Sequence, residues 1–207
     1  MTLEVLLFII GGYLSGSVLY AYLIPYLLCG VDIRVISPDG NPGTANAFRI
    51  CGTKTGIVVA MMEFAKGFMP VSMAICVLDQ EAVGYWFVLI IIAPVFGHMY
   101  SALNGFRGGV GIATALGTLI AIFLDSRLLL VICAIYAIAR FGMHFKKALS
   151  RTDFVFLAFL VCLQIIPLNP VYRISYSIIS TAVLLRNRVL KAVYGSGRER
   201  EFVTSAR

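Results

Sequence analysis

The chain has 207 residues, 60% of them hydrophobic and only 13% charged, with a formal net charge of +7. Soluble domains carry roughly a quarter charged residues, so this composition excludes an ordinary water-soluble domain and indicates a protein embedded in lipid. The excess of Lys and Arg suits an anionic lipid surface; nucleic acid is not an expected partner, because no basic module interleaved with aromatics is present.

Seven apolar stretches follow one another, about 3–25, 55–78, 84–100, 111–124, 128–143, 154–166 and 171–185. The first lacks a basic flank and is interrupted by Ser15, Gly16 and Ser17, so it reads as a membrane helix rather than a cleaved signal peptide. The last four are shorter than the usual span of about 20 residues. Asp125-Ser126-Arg127 and Pro167-Leu168-Asn169-Pro170 supply turns between them.

Charge placement provides an independent check, because Lys and Arg concentrate in cytoplasmic loops. Seven spans put Arg34, Arg49, Lys54, Arg107, Arg140, Lys146, Lys147, Arg151, Arg186, Arg188, Lys191, Arg198, Arg200 and Arg207 on one side, 14 of the 17 basic residues. Arg127 and Arg173 fall on the other, with Lys66 inside a span. Fusing 111–138 into one helix would strand the basic 140–151 loop outside. The expectation is an all-α integral membrane protein of seven transmembrane helices, N-terminus outside and C-terminus cytoplasmic. Residues 1–207 then form a single polytopic domain. Its basic tail, about 186–207, lies against anionic lipid, each basic residue contributing about 1 kcal/mol.

Two glycine-studded polar segments interrupt this pattern. The first runs Ser37-Pro38-Asp39-Gly40-Asn41-Pro42-Gly43-Thr44-Ala45-Asn46-Ala47-Phe48-Arg49, the second Asn104-Gly105-Phe106-Arg107-Gly108-Gly109-Val110-Gly111-Ile112-Ala113-Thr114. Glycine weakens helices and buries no side chain, but glycine-rich loops can bare backbone N–H groups to an anion. The first offers N–H groups at Gly40 and Gly43, the amides of Asn41 and Asn46, the Thr44 hydroxyl and Arg49. The second offers Gly108, Gly109 and Gly111 ahead of a helix starting near Ile112, with Arg107 beside them. Both fall on the cytoplasmic side of the seven-span arrangement. Together they form a candidate site for a phosphate or carboxylate.

Glu63 and Lys66 lie three residues apart within the second stretch, hence on one helical face. Ionisable groups at that depth are paired or functional, and the spacing alone leaves both readings open. His98, just ahead of the second loop, is either a hydrogen-bonded packing residue or an acid–base group. His144, among Lys146 and Lys147, reads as interfacial. The five cysteines form no C-x-x-C pair, so neither a metal nor a disulfide framework is expected. Cys51 lies near the first loop but has no His or Asp placed to activate it as an acyl carrier. No nucleophile elbow, H-E-x-x-H or Walker A pattern is present, so an enzyme built on this chain works by positioning and electrostatics.

Gly30-Val31-Asp32-Ile33-Arg34 and Gly40-Asn41-Pro42-Gly43-Thr44-Ala45-Asn46-Ala47-Phe48-Arg49 resemble the first signature of the bacterial acyl-phosphate:glycerol-3-phosphate acyltransferases, the PlsY family. Lys66-Gly67 is similar to that family's second-span element, with Glu63 substituting or one residue out of step. Gly97-His98-Met99-Tyr100 and the segment from Gly105 to Thr114 resemble its next signature. The similarity runs in order from Ser15 to Gly195. It implies a membrane enzyme that moves a fatty acyl group from acyl phosphate to glycerol 3-phosphate, making lysophosphatidate for phospholipid synthesis in the bacterial plasma membrane. By this resemblance Asn46 and His98 are the catalytic, acceptor-orienting residues. Gly40, Asn41, Gly43, Thr44, Arg49, Lys66, Arg107, Gly108, Gly109 and Gly111 bind substrate phosphate, and no cofactor is implied. The expected partners are acyl phosphate, glycerol 3-phosphate and membrane lipid.

The chain departs from the family pattern at four places. Val110 replaces a lysine, Pro38-Asp39-Gly40 stands where the family has Gly-Ser-Gly, Gly142 and Met143 occupy the region of a serine, and Leu185 and Arg188 fall at a His-x-x-Asn element. Arg188 is the residue placed to restore positive charge. A non-catalytic or altered-substrate relative that binds lipid phosphate therefore stands as the alternative function.

Overall fold

The structure, a computed structural model, describes residues 1–123, 127–143 and 148–194. Among them it is all helical. In chain order the helices are α1 (Leu3–Ser17), α2 (Tyr20–Cys29), α3 (Ile33–Ile36), α4 (Thr44–Val77), α5 (Gln80–Val83), α6 (Phe87–Met99), α7 (Ile112–Ala121), α8 (Leu128–Ala137), α9 (Ala148–Ile165) and α10 (Pro170–Tyr194). Helix covers each of the seven apolar stretches. Three helical regions, Leu3–Cys29, Thr44–Val77 and Gln80–Asn104, are long and apolar enough to cross a membrane. The basic 144–147 loop, the turn at 124–126 and the tail from 195 onward lie outside the described residues.

Helix α1 packs on α6, α4 on α7, and α9 on α10. Lipid gives no hydrophobic incentive for helices to associate, so close approach through small residues matters. Gly16 faces the Pro94 carbonyl and Gly97 the Tyr13 carbonyl, leaving no room for a Cβ at either position. Gly67 and Gly117 do the same between α4 and α7, against the carbonyls of Thr114 and Phe64. The main core gathers Phe87, Ile90, Ile91, Met99, Leu119, Phe159 and Tyr176.

The first apolar stretch is not one helix. The chain leaves helical geometry at Val18 (φ −72°, ψ 110°) and Leu19 (φ −88°, ψ 83°). In lipid the polar backbone groups at such a break need partners from elsewhere in the protein. Lys66 Nζ donates to Val18 O at 2.6 Å, Ala21 N–H donates to Glu63 Oε1 at 3.1 Å, and Ser101 Oγ donates to Ser17 O at 2.6 Å.

The first polar segment is likewise not all loop. From Thr44 onward it is helical, because Gly43 N-caps α4 and its carbonyl accepts from Asn46 N–H (3.0 Å) and Ala47 N–H (3.2 Å). Helix α4 thus begins eleven residues before the apolar stretch that starts near 55, and Gly52 (φ 79°, ψ 179°) breaks it where the polar turns meet the apolar ones. Ahead of it, α3 is tied down by Arg34. Its Nε and Nη2 reach Asp32 Oδ1 and Oδ2 at 3.0 and 2.7 Å, and its guanidinium lies 3.6 Å above the Tyr22 ring. The hydrogen bond from Arg34 holds the Asp32 carboxyl below its usual pKa.

Candidate active site

The two polar segments meet. Asn41 Oδ1 accepts from Val110 N–H at 3.2 Å, so the first loop clasps the second. Asn46 Nδ2 donates to Asn41 O (2.9 Å) and to Asp39 Oδ1 (2.7 Å), and Asp39 Oδ1 also accepts from Asn41 N–H (3.1 Å). The tight turns need their glycines. Gly111 N-caps α7 at φ 85°, and a side chain on Gly109 would run into the His98 ring and sit 2.8 Å from Asn41 Oδ1.

Beside the clasp is a cavity of ≈ 380 Å³, walled by Asp39, Asn41, Gly43, Thr44, Asn46 and Arg49 on one side and His98, Val110, Gly111, Ile112 and Ala113 on the other. Glu63, Arg151 and Asn187 also reach it, and Phe48, Phe64 and Leu116 make part of the wall apolar. The N-terminal turns of two helices, α4 and α7, therefore open on one space. Each presents first-turn N–H groups that have no intrahelical partner, and each is the positive end of a helix dipole. Thr44 Oγ1 is buried with no hydrogen-bond partner among the described residues.

This geometry narrows the expectation that the loop glycines bare their own N–H groups. Gly40 N–H bonds Ser37 O (3.2 Å), Gly43 N–H bonds Asn41 O (2.8 Å), and Gly109 N–H bonds His98 O (3.2 Å). These three donors fix the loops, and the first turns of α4 and α7 add donors that face the cavity. Of the residues singled out from sequence, Asn41, Gly43, Thr44, Asn46, Arg49, His98 and Gly111 line the cavity, whereas Gly40, Lys66, Gly108 and Gly109 stand behind the wall. Arg107 is exposed and is not part of the wall.

Behind the cavity lies a charged cluster with almost no solvent contact: Glu63, Lys66 and His98 are 1%, 3% and 4% exposed. Glu63 Oε2 is 2.8 Å from Lys66 Nζ and 3.0 Å from His98 Nδ1, and it accepts from Thr114 Oγ1 at 3.3 Å. Lys66 Nζ is also 2.8 Å from His98 Nδ1. Of the readings left open by the Glu63–Lys66 spacing the structure shows the paired one, and the same pair that closes the α1–α2 break also holds the imidazole. With Nδ1 fixed between an ammonium and a carboxylate, Nε2 is the ring nitrogen turned toward Gly109.

Sequence reasoning missed the contribution of α10. Arg186 Nη2 donates to Gly108 O at 2.7 Å, and its guanidinium lies 5.6 Å from the Tyr100 ring. Arg188, the residue expected to restore charge, is exposed. The phase of α10 explains the difference. Its buried face carries Tyr176, Ile179, Val183, Asn187 and Leu190, and residue 188 points away from that stripe. Asn187 is fully buried and donates to Asp153 Oδ1 at 2.5 Å, and Asp153 also pairs with Lys191. No sequence signal gave that phase; an amphipathic reading of 171–190 would have come nearest.

Fold and site together define a multi-pass helical membrane protein with a polar, partly apolar cavity built on helix N-termini. The sequence pattern of the glycerol-3-phosphate acyltransferase family matches residues 6–190, and the chain belongs to that family. It is 34% identical over 137 residues to a glycerol-3-phosphate acyltransferase of Lawsonia intracellularis, covering 66% of this chain and 67% of the relative. It is 37% identical over 131 residues to one of Myxococcus xanthus, covering 62% of this chain and 67% of the relative. Other such relatives are matched over as little as 53% of their length. In three dimensions the chain is similar to PlsY, an integral membrane glycerol 3-phosphate acyltransferase crystallised in its glycerol 3-phosphate form. The TM-score is 0.79 at 26% identity, over 93% of both chains.

Proposed function

We propose that this chain transfers a fatty acyl group from acyl phosphate to glycerol 3-phosphate, yielding lysophosphatidate and inorganic phosphate. The observation that carries this reading is the convergence of the α4 and α7 N-termini on one cavity that also holds Arg49 and His98. Two phosphorylated substrates need such a site, and part of its wall is apolar, as an acyl chain requires. Acyl phosphate is a mixed anhydride, so no covalent enzyme intermediate is needed. The acceptor hydroxyl oxygen bonds to the acyl carbon, the carbon–oxygen bond to phosphate breaks, and the hydroxyl proton leaves with the phosphate.

The residues divide this work. Arg49, the Thr44 hydroxyl and the first-turn N–H groups of α4 and α7 hold phosphate and stabilise charge as it shifts to the leaving group. Asn41, Gly40, Gly43, Gly108, Gly109 and Gly111 shape the loops that aim those donors. His98 orients the acceptor through Nε2. When Nδ1–H donates to Glu63, Nε2 accepts from the acceptor hydroxyl, and Asn46 holds the first loop against it. Lys66 acts from behind, through His98.

The arrangement in the bilayer follows from charge. We place seven spans with the N-terminus outside, the glycine loops cytoplasmic, and the whole in the bacterial plasma membrane, where lipid seals the flanks of the cavity. The test is purified protein in lipid supplied with acyl phosphate and glycerol 3-phosphate. The expected result is stoichiometric release of phosphate and lysophosphatidate. Turnover of neither substrate by correctly folded protein would refute the assignment and favour a relative that only binds lipid phosphate.

A further inference from the structure

Two carboxylates reach the cavity, and only one is paired with cations. Glu63 is neutralised by Lys66, whereas Asp39 is held by two amide N–H donors on a single oxygen, Oδ1. Its second oxygen, Oδ2, is not closed off and accepts no hydrogen bond among the described residues. A half-buried carboxylate on the cavity wall works against phosphate binding next to it. A carboxylate oxygen accepts only from donors, so the group that suits Oδ2 is a hydroxyl or an ammonium.

Glycerol 3-phosphate offers such a group. Besides its phosphate and the hydroxyl that is acylated, it carries a secondary hydroxyl that takes no part in the reaction. We propose that Asp39 Oδ2 accepts a hydrogen bond from this secondary hydroxyl and makes Asp39 a specificity-determining residue for acceptors with adjacent hydroxyls. The assignment rests on the proposed acyl transfer and refines it. Asp39 disfavours phosphate next to itself and holds the diol end by its free oxygen, which orients the acceptor in the cavity. Sites built to hydrogen-bond a substrate hydroxyl reject analogues without it, because the protein group is left unpaired.

The test compares glycerol 3-phosphate with 3-hydroxypropyl phosphate, which lacks only the secondary hydroxyl, using acyl phosphate as donor and protein reconstituted in lipid. The parent should lose on the order of tenfold or more in kcat/KM on the deoxy acceptor, the size expected for a charge-assisted hydrogen bond. Asp39→Asn keeps Oδ1 as acceptor for Asn41 N–H and Asn46 and changes only the free oxygen. It should lose a similar factor on glycerol 3-phosphate and nothing further on the deoxy acceptor, so its preference between the two disappears. Preference retained by folded Asp39→Asn overturns the inference and leaves Asp39 a loop-structuring residue. Equal use of both acceptors by the parent overturns it whether or not the variant folds. Failure of the parent on both acceptors refutes acyl transfer itself, a separate outcome.

Discussion

Replacing both Glu63 and Lys66 by leucine should leave the protein markedly destabilised. Buried ion pairs that interact only with each other can often be exchanged for apolar residues at little or no loss of stability, because the desolvation penalty disappears with them. This pair has other duties. Lys66 Nζ is the partner of Val18 O, and Glu63 Oε1 is the partner of Ala21 N–H, both at the break between α1 and α2. A buried backbone group left without a partner costs about 1–3 kcal/mol, so two orphaned groups amount to roughly 2–6 kcal/mol. For a chain of this size each kcal/mol moves Tm by about 2–4 °C, giving a drop on the order of 4–24 °C. The single variant Glu63→Gln keeps an oxygen for Ala21 but leaves Lys66 uncompensated, and it should cost about 3–5 kcal/mol. The assay is the fraction of purified protein that stays monodisperse after heating in lipid-containing micelles. A Glu63→Leu/Lys66→Leu protein as stable as the parent would refute the claim that these side chains repair the first span.

Arg49→Ala should lose one charge-assisted contact worth about 1.5–3 kcal/mol, seen as a rise of tenfold or more in KM for a phosphorylated substrate, whereas Arg107→Ala, exposed and outside the cavity wall, should stay near parental kinetics. Arg186→Gln removes the donor to Gly108 O and should lower kcat/KM by several-fold or more, while Arg188→Gln changes it little; the opposite ranking would show that α10 is turned the other way. In a cysteine-free background, a cysteine introduced at Glu81 should react with an impermeant thiol reagent in intact cells and one at Lys54 should not. Reaction at Lys54 alone would discard the proposed orientation.

Much of the protein is legible from sequence because the informative features are local. Apolar stretches with few charges specify helices in lipid whatever their neighbours are, and a glycine-rich segment ahead of Ile112 specifies a turn into a helix start. The placing of Glu63 and Lys66 on one helical face follows from their spacing, and Asn41, Asn46, Arg49 and His98 stand out as polar groups beside those turns. Other features depend on groups far apart in the chain, and no local pattern encodes them. The break at Val18 is tolerable only because Lys66, 48 residues away, satisfies its carbonyl, and the second loop is held by Arg186, 78 residues beyond Gly108. Which N–H groups remain for an anion is settled by tertiary contacts: the first loop engages Val110, the His98 carbonyl engages Gly109, and the first turns of α4 and α7 face the cavity. Arg186 rather than Arg188 reaches the second loop because α10 docks by its apolar stripe, and a helix held by that stripe has one rotation open to it. Sequence alone thus determined the kinds of group available and the local geometry that presents them; tertiary packing decided which of those groups meet, because a buried polar atom must find its partner wherever in the chain that partner lies.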